Sequence, residues 1–77
     1  MLKQNLGNDA FKNQNFEKAK DYYLQAIQLE QNPVFYSNRS AACFELDEFE
    51  ESLSDAQKAI DIDQNFWKVS IFRQLLT

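Results

Sequence analysis

Apolar residues recur along this chain at steps of three and four. Leu6, Ala10 and Phe11 share one face of a first helix, and Phe16, Ala19, Tyr23, Ala26 and Ile27 line a second. The spacing predicts helices near residues 2 to 13 and 16 to 29. Between them lies Asn13-Gln14-Asn15, whose side chains compete for backbone hydrogen bonds and can cap the next helix. Pro33 suits the first turn of a third helix, where its missing N–H costs nothing, and that helix is expected to run to about Glu45. Asp47 is expected to cap a fourth helix over about 48 to 62, with Glu50 three residues on completing a capping box. A fifth helix is expected from Asn65 to Thr77.

The pattern recurs as a whole. Ala26-Ile27-Gln28-Leu29-Glu30-Gln31-Asn32 returns as Ala59-Ile60-Asp61-Ile62-Asp63-Gln64-Asn65, 33 residues later. Phe11 and Phe44, Phe16 and Phe49, and Ala19 and Ser52 keep the same offset. A period of this length is that of a two-helix unit that stacks on copies of itself. The predicted fold is therefore all-α: antiparallel helix-turn-helix repeats stacked as an α-solenoid, with two repeats and the first helix of a third. The expected boundaries are about 1–32 and 33–65, with a partial third repeat or capping helix over 66–77.

Composition narrows the chemistry. One Gly and one Pro among 77 residues favour continuous helices over turn-rich β architecture. A net charge of -4 with no basic stripe argues against nucleic acid or an anionic membrane as partner. The single Cys43 cannot form an internal disulfide, and there is no His and no Cys/His ligand set, so neither a stapled extracellular fold nor a zinc site is expected. The start of the chain turns polar at once, without the apolar run of a signal peptide or membrane span, so an intracellular, cytoplasmic setting is expected. With no His base, no glycine-rich phosphate loop and no partnered nucleophile, neither an enzyme nor a cofactor is expected.

Leu6-Gly7, then Ala10 and Phe11, then Ala19, Tyr23 and Ala26 resemble the signature of the tetratricopeptide repeat family. In that signature the small residues at Gly7 and Ala19 stand where paired helices approach most closely, and Phe11 and Tyr23 fill the space beside them. The second repeat is more degenerate, with Ser40, Ser52 and Ala56 at the positions of Gly7, Ala19 and Tyr23. Gly7-Asn8, Phe35-Tyr36-Ser37-Asn38-Arg39-Ser40-Ala41-Ala42 and Lys68 are similar to the co-chaperone branch of the family, which includes a mitochondrial import receptor. The short Asn32-Pro33-Val34 junction is more similar to that receptor, which implies a place in the cytoplasm or on the cytosolic face of an organelle.

The resemblance implies a protein-binding adaptor whose concave face, lined by the first, third and fifth helices, grips the acidic C-terminal tail of a heat-shock chaperone. A C-terminal Asp presents two carboxylates at once, which amides and cations satisfy with charge-assisted bonds. Asn8, Asn38 and Lys68 match such a two-carboxylate clamp. Two family cations are missing: Gln4 and Phe72 stand in their places, with Lys3 and Arg73 as displaced neighbours. One residue along a helix is a turn of about 100 degrees, so a neighbour does not point the same way.

Other readings stand beside these. Asn8 and Asn38 can serve repeat packing, and Lys68 can be solvated. Arg39 is expected to be an inter-repeat or surface ion-pair partner, and Cys43 a small core residue. Glu45, Asp47, Glu48, Glu50 and Glu51 are expected to favour the helix dipole and water over docking. The whole module can instead be a scaffold brick that docks a helix or subunit, which Phe72 in the groove would suit. Trp67, Val69, Ile71, Phe72, Leu75 and Leu76 surround much of the expected last helix. Further repeats, a partner subunit or a second copy are expected to cover it.

Overall fold

The structure, a computed structural model, describes residues 2–63. They form α1 (Leu2–Lys12), α2 (Phe16–Leu29), α3 (Pro33–Glu45) and α4 (Phe49–Ile62), within one residue of the expected bounds. The expected fifth helix, with Trp67 and the apolar residues after it, lies outside the described residues. Each three-residue turn reverses the chain, so successive helices pack antiparallel. The described chain is two stacked helix pairs.

The turns explain the boundaries. At the end of α1, Gln14 takes a left-handed φ of 61°, its N–H donates to the Phe11 carbonyl at 3.0 Å, and the Asn15 N–H donates to the Ala10 carbonyl at 2.8 Å. This is the Schellman pattern, which closes a helix by satisfying its last carbonyls. Asn15 then caps α2, its Oδ1 accepting from the Lys18 N–H at 3.5 Å. At α3, Asn32 Oδ1 accepts from the Val34 N–H at 2.9 Å, and Pro33 takes the first helical position as expected.

The expected capping role of Asp47 is corrected. Asp47 also has φ of 61°, with its N–H on the Phe44 carbonyl at 3.1 Å and the Glu48 N–H on the Cys43 carbonyl at 2.9 Å. It ends α3 as Gln14 ends α1. Glu48 is the residue before α4, and it makes no side-chain capping bond, so no capping box with Glu50 forms. Asp suits both a helix start, as a cap, and a left-handed helix end, and here it serves the second.

Two clusters make the core. Ala10, Ala19, Tyr23 and Ala42 join α1, α2 and α3, with Phe11 and Tyr22 packed against them. Ala26, Ile27, Phe35, Tyr36 and Ala59 join α2, α3 and α4, with Val34 alongside. Phe11 meets Phe16 edge to face at 5.1 Å, and Phe44 meets Phe49 likewise at 5.5 Å, so the sequence repeat is a repeat of contacts.

The small residues work differently in the two pairs. A Cβ on Gly7 would lie 2.5 Å from Tyr23 Cε1 and 2.7 Å from Cδ1. The neighbour that requires Gly7 is therefore the Tyr23 ring rather than Ala19. In the second pair, Ser40 Oγ donates to the Ser52 carbonyl at 2.7 Å and Ser52 Oγ donates to the Ser40 carbonyl at 2.9 Å. Reciprocal hydroxyl bonds hold α3 to α4 where the first pair uses a glycine beneath a ring.

Candidate functional site

Gln4 and Asn8 stand one turn apart on α1 and so share a face. Gln4 is half-buried and Asn8 exposed. Asn8 is tied at one end: the Tyr23 hydroxyl donates to its Oδ1 at 2.7 Å. A carboxamide has one acceptor end and one donor end. With the oxygen engaged, the Nδ2 donors are what Asn8 offers outward. Asn38 is half-buried on α3. It stands one turn before Ala42, the α3 residue that shares a core cluster with Ala10 of α1. Lys68, Phe72 and Arg73 lie outside the described residues.

A second polar group lies deeper. Arg39 Nη1 donates to both carboxylate oxygens of Asp55, at 2.9 and 3.1 Å. The pair joins α3 to α4 within one repeat, with Asp55 buried and Arg39 partly exposed, so the expected inter-repeat or surface pair is corrected to a part-buried one inside the second repeat. Burial pushes the Asp55 carboxyl above its ordinary 3.8, while Arg39 pulls it down. Arg39 Nε is buried without a hydrogen-bond partner among the described residues.

Cys43 is fully buried, as a small core residue should be, and burial raises its thiol to about 11. Its Sγ and carboxylate oxygens of Glu48 and Glu51 lie within 4.8 Å of one another. That spacing is within reach of a metal ion, but the thiol is neutral and Glu48 is already engaged, so the group reads as packing. Glu48 Oε1 takes Lys20 Nζ at 2.6 Å, an ion pair from α2 to the start of α4. This hydrogen bond raises the Lys20 pKa against the opposing effect of burial. Glu50 and Glu51 occupy the first turn of α4, where negative charge suits the helix dipole. A shallow depression of about 370 Å³ opens beside Lys20 and Arg39, with both charge signs on its walls.

The repeat itself carried signals for two of these features. At an offset of 33, Arg39 and Asp55 stand where the first repeat has Leu6 and Tyr22. A paired change from two apolar residues to opposite charges marks a part-buried salt bridge. Asn8 and Tyr23 likewise stand where the second repeat has Ala41 and Ala56. The Lys20–Glu48 pair has no such counterpart and required the turn geometry to find.

Comparison with known proteins agrees with this architecture. Tetratricopeptide repeat signatures match residues 2–33 and 34–66. The chain is 41% identical over 66 residues to Protein STIP1 homolog of Dictyostelium discoideum, covering 84% of this chain and 12% of that one. It is 41% identical to Hsp70-Hsp90 organizing protein 2 of Arabidopsis thaliana, over 80% of this chain and 11% of the relative. It is 33% identical to Mitochondrial import receptor subunit TOM70 of Saccharomyces cerevisiae, over 87% of this chain and 11% of the relative. The chain thus spans about an eighth or less of these curated relatives. No solved structure matches it. Among the described residues no helix is long and apolar enough to cross a membrane. Tetratricopeptide repeats mediate protein–protein contact and are not themselves catalytic. With two such repeats, stacked as helix pairs over two core clusters, the chain belongs to the tetratricopeptide repeat family.

Proposed function

We propose that this module holds the acidic C-terminal tail of a heat-shock chaperone in a groove lined by α1, α3 and the segment after residue 65. Asn8, Asn38 and Lys68 are its carboxylate contacts, and Gln4, Phe72 and Arg73 are the positions that set its strength. The observation that carries this reading is the exposed Asn8 carboxamide, whose oxygen is held by Tyr23 and whose donors are left for a ligand. Relatives named as an Hsp70-Hsp90 organizing protein and a mitochondrial import receptor subunit support it, and on this reading the chain works in the cytoplasm or on the cytosolic face of an organelle. On this reading residues 1–32 and 33–65 are full repeats. Residues 66–77 begin a third or cap the array, and further repeats, a partner subunit or a second copy cover them.

The clamp is incomplete. Each absent charge-assisted bond is worth roughly 1.5 to 3 kcal/mol, so the two together make the tail bind about a hundred- to ten-thousand-fold more weakly than in a full clamp. Titration with a Met-Glu-Glu-Val-Asp peptide, as free acid and as C-terminal amide, tests the proposal. The acid should bind better and rising salt should weaken it. Asn38→Ala and Lys68→Ala should each cost about 1 to 3 kcal/mol without unfolding the chain. Gln4→Lys and Phe72→Arg should tighten the tail. Indifference to amidation and to both alanine substitutions would favour a scaffold that docks a helix, the reading to which the apolar Phe72 lends support.

A further inference from the structure

Tyr23 is 2% exposed, yet its hydroxyl meets an exposed side chain, Asn8, at 2.7 Å. The ring reaches that position because Gly7 lacks a Cβ, which would stand 2.5 Å from Cε1. Packing of a helix pair does not need this bond. Thirty-three residues on, the second repeat has Ala41 and Ala56 in place of Asn8 and Tyr23, and α3 and α4 still pack, through Ser40 and Ser52. Asn8 and Tyr23 therefore occur together or not at all in this chain, and only in the repeat that carries the exposed carboxamide.

The chemistry of the bond follows from its ends. A carboxamide free to rotate presents either lone pairs or N–H groups to a ligand, and only the second suits an ionised carboxylate, which accepts but cannot donate. A phenol that donates to Oδ1 fixes the choice. We propose that Tyr23 is a positioning residue: its hydroxyl holds the Asn8 carboxamide with Nδ2 toward the ligand, and so gives the site its preference for carboxylates over amides. This rests on the carboxylate-tail reading above.

Two measurements on the chain test it separately. The side-chain NH2 resonances of Asn8 in the free protein should move in Tyr23→Phe, which keeps the ring and loses only the hydroxyl; unmoved resonances would overturn the positioning role. Peptide titration gives the second readout. Tyr23→Phe should weaken the free-acid Met-Glu-Glu-Val-Asp peptide about five- to tenfold, weaken the amidated peptide less, and have no further effect in an Asn8→Ala background. Equal losses for acid and amide, or the same loss without Asn8, would mark Tyr23 as merely structural and overturn the proposal. A wild-type chain that binds both peptides equally would defeat the carboxylate reading and with it the preference assigned to Tyr23. The resonances decide the tether alone.

Discussion

Arg39 and Asp55 show how much one part-buried pair can decide. The carboxylate sits at 2% exposure with a two-oxygen grip from a single guanidinium nitrogen. Removing the cation strands a charge in the core, so Arg39→Met should cost about 3 to 5 kcal/mol in urea unfolding at neutral pH. The pH dependence has a definite sign. Asp55 has a folded pKa above its ordinary 3.8, so the folded state binds that proton more tightly than the unfolded chain does. Its stabilising contribution is full below 3.8 and is lost as pH rises through the folded value. Without Arg39 the folded value climbs further, so Arg39→Met should recover stability on acidification toward pH ~5. A small, pH-independent loss would contradict this account. The composition marked Arg39 as an ion-pair former, but burial of Asp55 was visible only in the paired departure from Leu6 and Tyr22.

Helix ends were legible where a residue type has one meaning. Pro33 fits only the first turn of α3, and Asn32 and Asn15 cap the starts of α3 and α2 with their side chains. Asp47 has two meanings, since Asp caps helix starts and also tolerates left-handed backbone. Its counterpart Gln14 is the better guide, because both close a helix at φ of 61°. Left-handed backbone is unfavourable for an L side chain and free for glycine, so Gln14→Gly should stabilise the chain by about 1 kcal/mol and Asp47→Gly by about half that. Thermal melts of the two variants check this. A lowered melting temperature for Gln14→Gly would mean that the side chain contributes more than the backbone strain costs.

At the scale of the molecule, the two core clusters both draw on α2 and α3. Neither helix pair has a core of its own, so the described chain should unfold as one unit. Far-ultraviolet circular dichroism and tyrosine fluorescence should report the same single transition. Phe35, 2% exposed at the junction of the pairs, is the residue whose loss couples to both. Phe35→Ala should cost about 3 to 5 kcal/mol, comparable to the whole stability of a domain this small. Two resolved transitions, or retention of α1 and α2 after α3 and α4 melt, would show the pairs to be independent.

Local information sufficed for the four described helices and the repeat, because apolar periodicity and turn residues act within a few positions of themselves. The 33-residue offset carried the stacking as well, since each unit must bury its apolar face on the next. Asn8 and Asn38 became visible as candidate contacts through the resemblance of their segments to a family pattern. Tertiary structure alone decided that the Asn8 oxygen is engaged by the Tyr23 hydroxyl. The hydrogen bond from Tyr23 to Asn8 crosses 15 positions between two helices, and the grip of Arg39 on Asp55 crosses 16. Such bonds depend on the packing distance and rotation of one helix against another, which no spacing along a single helix specifies.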